Sequence, residues 1–224
     1  MTRAVRAYRW VPPFAQGLVR DLRVRWALGE AGLDYEERLI GFEDQNTAEY
    51  RALQPFGQVP VLEEDGTSMF ESGAIVLHVA EQSPALMPQG AEARARVRTW
   101  MFAALNTVEP PITMLNVIDL QPGGAPEGAK DLRAAVLGMI EKRLDALSAF
   151  LGDREHLVAD RFTAADLLMT TVLRILRTTD LVEKRPTLAA YKTRGETRPA
   201  FRKALAAQMA PFEANAPPAT APKA

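Results

Sequence analysis

Residues 54–72, QPFGQVPVLEEDGTSMFES, constrain the fold more than any other stretch, and they open directly into the apolar run AIVLHVA. Val59, Val61 and Leu62 are β-formers, Asp65 and Gly66 mark a tight turn, and residues 68–70 return antiparallel to the first strand. The reading is loop, strand, turn, strand, helix start. Pro60 limits the geometry further, because a proline has no amide to give a ladder. It fits only at a first or edge position, or where a cis peptide makes a sharp bend. With the Val59–Pro60 bond cis, the Val59 amide and carbonyl turn outward and can pair with a short extended peptide. At the far end of the hairpin, Glu71 and Ser72 sit where strand hands over to helix. First-turn amides, the helix dipole and the Ser72 hydroxyl converge there on a carboxylate-binding point, with Glu71 beside it for an ammonium. A zwitterionic amino-acid head group suits this pair; a plain N-cap and a plain strand start fit the same residues.

Upstream, residues 4–10 alternate as a short strand and residues 11–14, with Pro12 and Pro13, form a loop. Val19, Leu22, Trp26 and Ala27 recur at helical spacing over residues 17–31, with arginines at 20, 23 and 25 between them, and Gly32 supplies a stop. Residues 34–40 read as a second strand and residues 43–53 as a short irregular helix. With the hairpin and a helix over residues 72–82, the order is βαβαββα: a parallel pair plus an antiparallel edge, helices on both faces.

Residues 84–90, with two prolines and a glycine, make the best boundary. Beyond it the chain turns all-helical. Val97, Met101, Ala104, Leu105 and Val108 repeat at helical spacing until Pro110 and Pro111 break or kink the pattern. Residues 121–128, QPGGAPEG, read as a mobile linker and residues 131–151 as an amphipathic helix. Thr163 and Asp166 form a capping box with Phe162 and Leu167 spaced as a staple. The domain boundaries are therefore 1–83, a linker at 84–90, a helical domain at 91–212, and an Ala/Pro-rich tail at 213–224 expected to be disordered.

The run QPFGQVPVLEEDG…FES resembles the NPxGKVPxL…ES motif of the cytosolic glutathione transferase superfamily, of bacterial type, with Gln54 and Gln58 where Asn and Lys are common. The resemblance extends over residues 4–208, through the capping box and the RPTLAAYKTRGETRPAFRKALA run. It implies an α/β thioredoxin-like first domain and an all-α second domain. It also implies glutathione as co-substrate, bound by Gln58, Val59, Pro60, Glu71 and Ser72, with the Val59 backbone holding the cysteinyl part and Glu71 and Ser72 the γ-glutamyl end. A homodimer is implied too, with Phe56 as the apolar residue that inserts into its partner.

Glutathione reacts as its thiolate, and a free thiol is only a few per cent ionised at neutral pH. Lowering its pKa by two units takes about 2.7 kcal/mol, within reach of one or two hydrogen bonds and a helix N-terminus. In most of the family a Tyr, Ser or Cys near the end of the first strand gives that hydrogen bond. Here residues 10–19, WVPPFAQGLV, contain none of the three and the loop is several residues longer than usual. Tyr8 is the nearest hydroxyl; the Trp10 indole, Gln16, Arg20 and loop amides are the other donors. Trp10 and Phe14, with Met101, Leu105 and Val108, either wall an apolar co-substrate pocket or serve simple packing.

Composition narrows the chemistry. The 224 residues carry a formal net charge of −1, which gives no broad basic field for nucleic acid. There is no cysteine and only two histidines, His78 and His156, so disulfides, a protein dithiol mechanism and a zinc site are not expected. The start MTRAVRAYRW has no apolar leader core and no long apolar run follows, so a cytoplasmic, membrane-free protein is expected. Three readings stay open: a glutathione transferase acting on a small apolar electrophile; a glutathione-dependent disulfide reductase, peroxidase or isomerase; and a non-catalytic binding module of the same fold.

Overall fold

The structure is a computed structural model that describes residues 2–120 and 128–217. Strand β1 (Arg3–Tyr8) pairs in parallel with β2 (Glu36–Ile40) and antiparallel with β3 (Val61–Glu64), and β3 pairs antiparallel with β4 (Thr67–Phe70). The sheet order is β2-β1-β3-β4. Helix α1 (Asp21–Ala31) joins β1 to β2, a 3₁₀ turn (Asp44–Asn46) and α2 (Ala48–Leu53) lie between β2 and β3, and α3 (Ser72–Glu81) follows β4. The βαβαββα order is the one the sequence predicts.

The hairpin turn follows from its residues. Asp65 (φ 48°) and Gly66 (φ 84°) are both left-handed, the geometry whose twist matches the flanking strands and which Asp-Gly adopts at little strain. Helix α1 starts at Asp21, later than its apolar spacing suggests. Residues 12–19 instead wind through successive tight turns, with the Ala15 amide on Pro12 (2.9 Å) and the Leu18 amide on Ala15 (3.0 Å). Strand β1 likewise ends at Tyr8 rather than at residue 10, and β2 starts at Glu36 rather than at residue 34. In α1 the polar residues are buried along with the apolar ones: Asp21, Arg23 and Arg25 have almost no exposed surface, and Arg25 bonds Asp21 one turn back (2.7 Å).

The second set of helices begins with α4 (Ala91–Ala103), which runs through a π-helical turn (Ala104–Val108) into α5 (Glu109–Asp119). The expected break at Pro110–Pro111 is thus a widened turn just before the prolines. Pro111 stands where an α-helix would supply an amide to the Thr107 carbonyl, and Arg143 Nε supplies that bond instead, at 2.7 Å. Then come α6 (Ala129–Leu151), α7 (Ala164–Arg174) and α8 (Pro186–Thr197). The capping box is complete, and α7, buried along its whole length, is the centre of this set. Residues 84–90, expected as a linker, carry Leu86 and Met87 fully buried, with the Leu86 carbonyl accepting from the Ala164 amide at 3.0 Å.

The chain forms two compact units, one made of residues through Ile75 joined by those from Pro199 onward, the other Val76–Arg198. The last helix, α9 (Pro199–Ala214), therefore groups with the sheet and not with the helical set that precedes it. Its Phe201 meets Trp26 of α1 edge-on at 4.9 Å, and its Gln208 side chain reaches the start of α1. The expected tail begins inside this helix, since Glu213 and Ala214 are helical, and residues 218–224 lie outside the described residues. So does the expected linker, except for Gly128 before α6. Among the described residues no helix is long and apolar enough to cross a membrane.

Candidate active site

The hairpin register gathers the sequence-derived residues at one end of the sheet. β3 pairs Val61 with Phe70 and with Arg6 of β1. Two residues further along each strand, the same register carries Val59, Ser72 and Tyr8 to a common edge. Val59 joins Ile40, Tyr50 and Val61 in one apolar cluster, against which Tyr8, Val19 and Leu53 pack.

The Val59–Pro60 peptide is cis. Both residues are buried, and among the described residues no hydrogen bond occupies the Val59 amide or carbonyl. The neighbouring Gln58 is exposed, while its carbonyl accepts from the Tyr50 hydroxyl at 2.7 Å. That bond ties the loop before the edge to α2. Burial pushes the Tyr50 phenol up to about 12, so it stays a donor at neutral pH.

Across the edge, Ser72 is buried at the first position of α3 and its hydroxyl oxygen accepts from a buried α1 guanidinium, Arg23, at 3.2 Å. That bond uses Ser72 as an acceptor, so its hydroxyl proton remains available to donate beside a buried positive side chain. Glu71, one residue earlier, is exposed and held in the left-handed conformation (φ 69°), a strained backbone for a non-glycine residue. Its carbonyl caps into α3 by accepting from the Ile75 amide at 3.0 Å. The arrangement offers a hydroxyl, a buried cation and a helix N-terminus for a carboxylate, and a free-standing carboxylate for an ammonium.

The donor candidates separate by their partners. The Tyr8 hydroxyl donates to Gln45 Oε1 at 2.6 Å, its ring lies 5.0 Å from that of Phe42, and burial raises its pKa. Gln16 donates to the Val11 carbonyl at 3.0 Å, an intraloop bond that holds the turns together. Arg20 is exposed at the N-cap position of α1, and Trp10 is half-buried. Phe14 is 60 % exposed and Phe56 64 %, the latter 6.2 Å from the Phe70 ring. Met101, Leu105 and Val108 belong to the second unit, where Met101 and Val108 are buried and Leu105 is half-buried.

Sequence reasoning did not find Arg23, Gln45 or Gln208. Arg23 carried the only readable signal, as a charge on the apolar side of a helix.

Comparison with known proteins settles the family. The description "Glutathione S-transferase, N-terminal domain" matches residues 15–81, and "Glutathione S-transferase, C-terminal domain" matches residues 99–199. The chain belongs to the glutathione S-transferase family. Glutathione S-transferase 4 of Zea mays is 32 % identical over 228 residues, which covers 96 % of this chain and 97 % of the relative. Glutathione S-transferase GstA of Escherichia coli O157:H7 is 29 % identical, covering 73 % of this chain and 80 % of its own length. Among solved structures, glutathione transferase F7 from Populus trichocarpa superposes with a TM-score of 0.78 at 25 % identity, over 93 % of this chain and 99 % of that one. The thioredoxin-like sheet and the helical set that follows are thus the glutathione S-transferase architecture, reached here with none of the usual hydroxyls or thiols in residues 10–19.

Proposed function

We propose that this glutathione transferase binds reduced glutathione along the Val59 edge and joins it, through sulfur as the thiolate, to a small apolar electrophile. The observation that carries this reading is the convergence of the unpaired Val59 backbone, Ser72 and Glu71 at one end of the sheet. The cysteinyl part pairs with the Val59 amide and carbonyl, as one extended strand pairs with another. The γ-glutamyl carboxylate takes the Ser72 hydroxyl and the head of α3, with the Arg23 charge behind it. Glu71 takes the ammonium, and Gln58 and Pro60 shape the floor.

The thiol then lies toward the end of β1 and the start of α1. Tyr8 already gives its only proton to Gln45, so the stabilising charge is assigned to Arg20, with the positive end of α1 and the Trp10 indole beside it. The thiol proton leaves to water, the sulfur lone pair forms a bond to the electrophilic carbon, and the group displaced from that carbon, a halide for an aryl halide, departs with its bonding pair. Phe14 and Trp10 wall the co-substrate pocket on the side of the loop after β1. The protein acts in the cytoplasm as a homodimer, with exposed Phe56 inserting into its partner. A single monomeric species in sedimentation at micromolar concentration would remove the dimer.

The test of the binding assignment is calorimetric titration of Ser72→Ala and Glu71→Gln with reduced glutathione. Loss of one charge-assisted contact, about 1.5–3 kcal/mol, weakens binding by roughly ten- to a hundredfold in each variant. Wild-type affinity in both would overturn it.

A further inference from the structure

The segment that carries the proposed thiol-stabilising groups is held from the far end of the chain. Gln208 of α9 is 1 % exposed, and its side-chain amide makes two bonds to the opening of α1. Nε2 donates to Asp21 Oδ1 at 2.6 Å and to the Val19 carbonyl at 3.0 Å. The Val19 carbonyl also accepts the Leu22 amide (3.0 Å), so Gln208 grips the first turn of α1 at the residue where the loop ends. Asp21 in turn bonds Arg25, which reaches Glu37 of β2 and the Tyr35 hydroxyl. A polar chain therefore runs from α9 through α1 to the sheet, buried as far as Arg25 and ending on the exposed Glu37.

We propose that Gln208 is a positioning residue for thiol activation: its amide fixes the loop end and first turn of α1, and with them Arg20, at the reacting sulfur. The inference rests on the reading that Arg20 and the α1 N-terminus stabilise the thiolate. Electrostatic stabilisation of an anion needs its donors fixed beforehand, and a displacement of about 1 Å in such groups is enough to lose on the order of a hundredfold in rate. The γ-glutamyl end depends on Ser72 and Glu71, which lie outside α1, and on Arg23, two residues after Asp21.

Gln208→Met removes both donors at similar volume. Its structural counterpart is Phe201→Leu, which loosens α9 against Trp26 and leaves the Gln208 bonds in place. The readouts are the ultraviolet thiolate absorbance of bound glutathione against pH, the pH profile of kcat/KM with a chromogenic aryl halide, and the thermal midpoint. Gln208→Met is expected to raise the bound thiol's pKa by about half a unit or more and to lower kcat about tenfold, a larger change than that in KM for glutathione. Phe201→Leu is expected to lower the midpoint and leave the thiol pKa unchanged. An unshifted thiol pKa in Gln208→Met, with wild type showing its own depressed value, overturns the positioning role alone. Equal pKa shifts in both variants likewise overturn it, since loosened packing then explains the effect. Wild type without a depressed thiol pKa overturns the functional reading underneath.

Discussion

Removing the Asp166 carboxylate is the perturbation whose effect the structure specifies best. Its two oxygens accept four hydrogen bonds, each of 2.9 Å: from the amides of Leu157 and Thr163, the Thr163 hydroxyl and the Tyr191 hydroxyl. Asp166 is 1 % exposed and Tyr191 3 %, so water cannot replace the acceptor without opening the helical set. In Asp166→Ala four donors lose their acceptor: the Leu157 and Thr163 amides and the Thr163 and Tyr191 hydroxyls. Each orphaned buried donor costs about 1–3 kcal/mol, and the lost cap is included in that range, so the total is about 3–5 kcal/mol after partial relaxation. For a chain of this length a loss of 1 kcal/mol moves the thermal midpoint about 2–4 °C, which places the variant roughly 10 °C or more below wild type. Urea denaturation followed by circular dichroism gives the free energy directly, with Tyr191→Phe as a milder companion at about 1 kcal/mol. An Asp166→Ala loss under about 1 kcal/mol would refute the view that this carboxylate organises the loop, α7 and α8 together.

Two further outcomes concern the site. Tyr8→Phe should retain wild-type turnover within about threefold, because the Tyr8 proton serves Gln45, whereas Arg20→Gln should lower kcat roughly ten- to a hundredfold; steady-state kinetics at pH 6.5 distinguishes them. Tyr50 connects the site to alkaline stability. Its pKa is raised in the folded state, chiefly by burial, to about 12 from 10.0. The stability it contributes is therefore fully present below pH 10 and is lost as pH rises through about 12. In Tyr50→Phe the unfolding midpoint should fall less steeply over that window than in wild type, as read by thermal melts at stepped pH.

The hairpin, the Val59–Pro60 edge and the Glu71–Ser72 corner were legible because each rests on residues adjacent in sequence, where turn chemistry and proline geometry act locally. The Thr163–Asp166 box was legible for the same reason. What escaped notice acts over distance. Pro110 and Pro111 announce a disturbed helix, but the π-helical turn depends on Arg143 arriving from α6 to serve Thr107. The arginines of α1 read as charges between apolar positions, and only the fold reveals that Asp21, Ser72 and Glu37 bury them. Likewise, Gln208 has no sequence signature, since its partners lie 187 and 189 residues away. The placement of the last helix beside α1 is the same kind of fact, since the residue pattern of that stretch is silent on which unit receives it.

The central claim is that this chain ionises the thiol of bound glutathione without a Tyr, Ser or Cys in the loop after β1. The direct test titrates wild-type protein with reduced glutathione by calorimetry and follows the thiolate absorbance of the bound ligand from pH 5 to 10. Micromolar to millimolar binding with the thiol pKa depressed by about two units is the predicted result, equivalent to about 2.7 kcal/mol of preferential thiolate binding. Binding with an unshifted thiol, the behaviour of a glutathione-binding module, would contradict it.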